Sequence, residues 1–169
     1  FSRFQVPTGA DEKGVHLITS FYRGGYSRKR FAEIVAVLLN NLENPTIRNV
    51  HLLFEGESPL RYLLNVGTPL ETLEKLVLKA VDHQPTYAEL FRYANARLVT
   101  SSSLTVAMIS NADIYFDSSV GCVLDSENPH WLKNRTVLAL SRRPSDACPG
   151  AQKADHGKHM DLCLDYVHS

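Results

Sequence analysis

Apolar and polar positions along the chain fall into short runs separated by helical stripes. Gly14 to Ser20, GVHLITS, gathers Val15, Leu17 and Ile18 into a run too short for a helix and predicts a first strand. Phe21-Tyr22-Arg23-Gly24-Gly25 follows at its carboxyl end, where the paired glycines allow a turn that other residues resist. Ser27 is the expected N-cap of a long helix, in which Phe31, Ile34, Val35, Leu38, Leu39 and Leu42 recur at three and four residues. Asn44-Pro45 ends it, because proline disfavours a helical residue before it. Val50 to Glu55, VHLLFE, predicts a second strand with Glu55-Gly56 at its carboxyl end.

Residues 56 to 67 read as a loop with a short helical turn around Leu60 to Leu64. Thr68-Pro69-Leu70-Glu71 then predicts a helix start, with Thr68 as N-cap, Pro69 as first helical residue and Glu71 completing a capping box. Val77 to Val81 predicts a third strand. Thr86 and Glu89 form a second capping box. The helix after it sets Tyr87, Leu90, Phe91, Ala94 and Leu98 on one side, with Tyr87, Leu90 and Phe91 expected in the core. Leu104 to Ile109, uncharged and apolar, predicts a fourth strand buried on both faces. Strands and helices alternate, so an α/β fold is expected: an open, mostly parallel sheet flanked by helices as a three-layer, Rossmann-like arrangement.

Beyond the fourth strand the pattern loosens. Val137 to Leu140 predicts a fifth strand with Trp131 packed nearby, Ser141 to Lys158 a surface loop, and Asp161 to Val167 a last strand or short helix. The expected layout is one domain over residues 14–169 after a lead-in over 1–13. Because the chain begins at Phe1 and reaches Ser169 without an evident closing element, a piece of a longer protein is expected.

Composition narrows the function classes. The net charge is zero, which leaves no electrostatic footprint for nucleic acid or an anionic membrane surface. No run is long enough to span a bilayer. Cys122, Cys148 and Cys163 are an odd count without metal-ligand spacing, compatible with one disulfide and a free thiol or with three thiols. Asn134-Arg135-Thr136 is a glycosylation sequon that matters only in a secreted protein.

Candidate chemistry gathers at the carboxyl ends of the predicted strands, where ligands of open α/β sheets bind. Phe21 and Tyr22 offer stacking faces for a base, Arg23 a cation for phosphate, and Glu55 a nucleobase contact. Asp113, in Asn111-Ala112-Asp113, offers a carboxylate to a hard divalent cation, and Asp117 a further acid. The plainer alternatives are packing aromatics, a solvated arginine, a turn glutamate, and an aspartate that ends a strand. A metal between a carboxylate and a diphosphate would neutralise charge building on a leaving nucleoside diphosphate.

On these residues the chain resembles the nucleotide-sugar-dependent glycosyltransferases of the GT-A fold. Those enzymes carry an Asp-x-Asp or related motif after the fourth strand, which binds a divalent metal and the donor diphosphate. Asn111-Ala112-Asp113 stands in that place, with Asn111 replacing the first acid. The resemblance implies Asp113 as the metal-contacting acid, while the spacing of Asp117 departs from the motif. It extends to the preceding helix, where Arg92, Asn95 and Arg97 stand where the family carries an Arg-Asn pair, and it implies Asn95 near the donor. The text TYAELFRYANARL followed by SNADIYFD also resembles an uncharacterised glycosyltransferase-like group.

The implied activity is transfer of a sugar from a UDP- or GDP-sugar to a glycan or protein acceptor, with Mn²⁺ or Mg²⁺ as cofactor. The implied setting is the Golgi lumen or secretory pathway, with which the sequon is compatible. A late histidine such as His168 can supply a metal ligand in this fold. His156 and His159, flanked by Asp155 and Asp161, read instead as solvated loop side chains. No residue stands out as catalytic base among Asp146, Asp155, Asp161 and Asp165. The alternative is a GT-A-like module that binds a nucleotide or a partner without turnover. An aspartyl phosphotransferase would need acids two apart near the first strand, and a dinucleotide enzyme a glycine-rich turn; neither pattern occurs.

Overall fold

The computed structural model describes residues 14–98, 105–124 and 158–160. Four strands, β1 (Gly14–Phe21), β2 (Ile47–Glu55), β3 (Leu76–Val81) and β4 (Thr105–Ile109), form one sheet in the order β3-β2-β1-β4. All three pairings are parallel, with Thr19 opposite Leu52, Leu52 opposite Leu78, and Ile18 opposite Ile109. The helices are α1 (Arg28–Glu43), α2 (Pro59–Asn65), α3 (Leu70–Leu73) and α4 (Tyr87–Leu98). The alternating α/β order and parallel sheet agree with the sequence expectation.

Alternation along the strands sends side chains to two faces. Leu17, Phe21, Val50, Leu52 and Phe54 meet Ile34, Val35, Leu38 and Leu42 of α1, with Leu63 of α2 and Leu73 of α3 in the same core. Ile18 and Leu53 point to the opposite face and pack under Leu90 and Ala94 of α4. The chain therefore crosses one face in passing from β1 to β3 and the other in reaching β4. A reversal of strand order with right-handed crossovers requires that change of face.

Several local expectations need correction. Thr68 and Glu71 do not form a capping box. Pro69 is the N-cap of the single-turn α3 and has no side-chain cap, while Thr68 Oγ1 is buried without a hydrogen-bond partner among the described residues. The backbone of Thr68 is instead spent on closing α2, donating to the Leu63 carbonyl at 3.1 Å. The Thr86–Glu89 box does form: Glu89 N donates to Thr86 Oγ1 at 3.3 Å, and Thr86 N donates to Glu89 Oε2 at 2.8 Å. The Thr86 backbone N–H, and with it the Thr86 hydroxyl donating to Glu89 Oε2 at 2.9 Å, hold the Glu89 carboxyl down to a pKa of about 2.

Tyr87 and Phe91, expected in the core, are 52% and 51% exposed. The buried stripe on α4 is narrower than its apolar residues suggest: Leu90 and Ala94 are its buried residues. β4 is an edge strand of the described sheet, with Ala107 exposed, and is not buried on both faces.

Beyond β4 the chain turns at Ala112-Asp113 into β5 (Ile114–Phe116), which pairs in parallel with β6 (Lys158–Met160). Neither short strand is expected from the pattern. β5 is held by α1: Asn41 donates to the Ile114 carbonyl at 3.0 Å and accepts from Phe116 N at 3.0 Å, and Asn44 donates to the carbonyls of Phe116 and Asp117 at 2.9 and 3.0 Å. Two buried asparagines thus complete the backbone bonding of β5 on the side where no strand of the described residues pairs with it. The predicted strand over 137–140, Trp131, and the segment 161–167 lie outside the described residues, as do Cys148 and Cys163. No helix among the described residues is long and apolar enough to cross a membrane.

Candidate functional site

The carboxyl edge of the sheet carries two adjoining places, both bordered by the β1–α1 loop. The first is a cleft of about 300 Å³ between the ends of β1 and β2. Phe21, Tyr22 and Arg23 line it from β1, Glu55 and Glu57 from β2 and the loop after it, and Tyr62 from α2. Phe21 belongs to the core at 3% exposure, its ring 5.6 Å from Phe31 edge-on and 6.2 Å from Tyr62, so it floors the cleft. The Arg23 guanidinium lies 5.3 Å from the Phe31 ring centre and 5.6 Å from that of Tyr62. Such placement over ring faces favours a cation.

Arg23 also donates to the Tyr62 hydroxyl at 2.7 Å, and that hydroxyl donates to Glu57 Oε2 at 2.7 Å. The Tyr62 bond, helped by Arg61, lowers the Glu57 carboxyl below its ordinary pKa. Gly24 and Gly25 permit the loop: a Cβ on Gly24 would overlap the Tyr22 ring, and Gly25 adopts φ +74°. Tyr22 packs edge-on against Tyr26 with centres 5.8 Å apart.

The second place is where the strand order reverses, between β1 and β4. Thr19 Oγ1 donates to the Ser110 carbonyl at 2.9 Å, and Ser110 N donates to the Ile18 carbonyl at 3.2 Å. These bonds fix the exit of β4 to β1. Asn111 Oδ1 accepts from the Tyr87 hydroxyl at 2.5 Å. Asp113 Oδ2 is ion-paired with Arg30 Nη2 at 2.7 Å, and Arg30 Nη1 reaches Glu33 Oε2 at 3.0 Å. Both carboxylates stabilise the charged guanidinium and raise its pKa, the Asp113 hydrogen bond most.

The structure thus brings Phe21, Tyr22, Arg23 and Glu55 into one cleft, and Asn111 and Asp113 to the adjoining reversal. Asn95 is placed elsewhere. It lies on α4 eight residues past Tyr87, about 12 Å down a helix that leads away from this edge. Asp117 sits at the far end of β5 from Asp113, on the order of 10 Å along extended chain. Its Oδ1 accepts from Ser119 N at 2.9 Å and from the Ser119 hydroxyl, starting a 3-10 turn over Ser118–Leu124.

No three His, Cys, Asp or Glu side chains come together as a metal-binding group among the described residues. Asp113 offers one carboxylate and already meets a guanidinium, so these donors by themselves do not fit a divalent ion. Asp146, Asp155, Asp161, Asp165, His156 and His168 lie outside the described residues, and His159 falls on β6.

Three cations have no role in the sequence expectation: Arg28, Lys29 and Arg30. They form the first turn of α1, after Ser27, whose Oγ accepts from Arg30 N at 3.2 Å. Three cations at a helix N-terminus oppose the macrodipole, at a cost of about 0.3–1 kcal/mol each. A basic run directly after an N-cap residue was the available signal. No protein-family model, curated protein or solved structure matches the chain.

Proposed function

We propose that the chain is the donor-binding part of a glycosyltransferase that moves a sugar from a UDP- or GDP-sugar to a glycan or protein acceptor. The observation that carries this reading is the meeting of Asn111–Asp113 with the basic first turn of α1 at the reversal between β1 and β4. Open α/β sheets bind ligands at such a reversal. The positive end of α1 with Arg28, Lys29 and Arg30 suits a diphosphate. The neighbouring cleft, with Tyr22 at its wall and Arg23 above two rings, suits a planar base.

Mn²⁺ or Mg²⁺ joins this reading through Asp113, which would then exchange Arg30 for the metal. The second reading is a module that binds a nucleotide or a partner without turnover. The Arg30–Asp113 pair favours it, because a carboxylate neutralised by a fixed cation has no need of a metal.

Calorimetric titration with UDP and GDP, in Mn²⁺ and then in EDTA, tests both readings alongside Asp113→Ala. Metal-dependent binding that the substitution abolishes supports the transferase, and slow donor hydrolysis by the wild type completes the case. Binding that survives EDTA with no hydrolysis supports the module. Failure to bind either nucleotide under any condition removes the donor site.

A further inference from the structure

A line of polar groups crosses the α4 face of the sheet at a distance from the carboxyl edge. His51 of β2 is buried at 4% exposure, and His16 of β1 is half-buried beside it. His16 Nδ1 is 3.1 Å from His51 Nε2, and His51 Nδ1 is 3.1 Å from the Tyr93 hydroxyl of α4. The rings are close but tilted, with centres 5.4 Å apart for the histidines and 5.7 Å for His51 and Tyr93. Three elements are therefore joined by one hydrogen-bonded chain. We propose that His16, His51 and Tyr93 form an acid-sensitive latch that fastens α4 to the sheet and releases it when the imidazoles take up protons.

The chain closes only with a definite number of protons. With both rings neutral, every contact pairs one donor with one acceptor, whichever way the protons run. One added proton makes both nitrogens of His51 donors, and His16 Nδ1 and the Tyr93 oxygen can still accept. The cation is then held without water on a face where the acting charges are positive: Arg97 of α4 on His51 and Arg48 of β2 on His16. β3 places Lys79 opposite Leu53, one same-face position along from His51, and β4 places Ala107 opposite His16. A second proton sets N–H against N–H across the 3.1 Å contact and breaks the chain.

Burial lowers the pKa of both histidines, that of His51 to about 4, so the neutral form prevails in the closed structure at neutral pH. Among the described residues the apolar contact of α4 is small: Leu90 and Ala94 pack against Ile18 and Leu53, with Val81, Tyr93, Leu98 and Ile109 partly buried around them. Tyr87, which holds Asn111, is the first residue of the same helix, so opening the latch also frees the turn before Asp113. That consequence for ligand binding rests on the proposed donor site; the latch does not.

Hydrogen exchange on the full chain between pH 7.5 and 4.5 tests the latch. Protection factors, corrected for the intrinsic rate, are to be compared for amides of α4 and α1. Protection of α4 is expected to fall about tenfold per pH unit below about 6.5, the signature of one proton taken up on opening. Protection of α1 stays level over the upper part of that range. His51→Gln keeps a donor and an acceptor at the position but does not titrate, so its slope should largely vanish; the double variant His16→Gln/His51→Gln should remove what remains. An imidazole titration of the wild type by NMR needs no variant. His51 titrating at its ordinary value, or α4 protection that is flat with pH, overturns the latch. Loss of nucleotide binding at pH 5 in the wild type but not in His51→Gln extends it to the site. Pure failure of nucleotide binding at every pH rejects the donor site and leaves the latch standing.

Discussion

The two faces of the sheet are stabilised differently. Under α1 the contact is broad and apolar, from Leu17 and Phe21 through Val50, Leu52 and Phe54 to four aliphatic residues of the helix. Each fully buried Leu or Ile there contributes about 1.5–3 kcal/mol, with no dependence on pH. Under α4 the apolar contact among the described residues is smaller, and a histidine pair and a tyrosine share the face with it. Hydrophobic burial makes the first face permanent. On the second, burial disfavours the charged form of the histidines, which makes the contact conditional on pH. The fixed face carries β1, β2 and the asparagine clamp on β5, whereas the conditional face carries the helix whose Tyr87 holds Asn111.

Four measurements would break or sharpen this contrast, each read as the loss of unfolding free energy in urea. Leu52→Ala, at 1% exposure between the sheet and α1, should cost about 4 kcal/mol, and Leu90→Ala on α4 roughly half of that. Equal losses would erase the difference between the faces.

The pH effect comes next. The folded pKa of His51, about 4, lies below its unfolded value near 6.5, so the unfolded state binds more protons between those limits. Stability is full above about pH 6.5 and is lost as the pH falls towards 4, by on the order of 3 kcal/mol relative to His51→Gln. Parallel stability–pH curves for the two proteins would show that the α4 face is as indifferent to pH as the α1 face.

Asn41→Ala should cost about 2 kcal/mol, since it strands the Ile114 carbonyl and the Phe116 amide in a buried setting. A near-neutral result would mean that β6 alone holds β5. The smallest effect separates two look-alike motifs. Thr86→Ala removes a formed capping box and should cost about 1 kcal/mol, fraying α4 at Tyr87. Thr68→Ala removes a hydroxyl that has no partner among the described residues and should change stability by less than about 0.5 kcal/mol.

That last pair shows how far local pattern reaches. Thr-Pro-Leu-Glu and Pro-Thr-Tyr-Ala-Glu both spell a helix start, yet only the second box closes. The Thr68 backbone is drawn into the end of α2, a competition that no four-residue window contains. Tyr87 and Phe91 illustrate the same limit on α4: their spacing matches a buried stripe, but burial depends on what the fold sets against the helix. Arg30 was legible as a charge and not as the partner of Asp113, because 83 residues separate them. His16 and His51 were each visible as a polar residue inside an apolar run. Their pairing needed the register of β1 on β2.

The sequence by itself determined the alternation of strands and helices, the parallel sheet, and the ends of the long helix, because periodicity, proline and capping act over a few residues. It also determined that Phe21, Tyr22, Arg23, Glu55, Asn111 and Asp113 stand at strand ends, since that follows from the same local signals. Only the tertiary structure decided which strand ends are neighbours. It set β4 beside β1, brought Arg30 to Asp113, moved Asn95 and Asp117 away from that meeting point, and linked a half-buried histidine, a buried histidine and a tyrosine in one chain. The physical reason is that strand order and register are fixed by the packing of whole faces, a sum over contacts far apart in the chain.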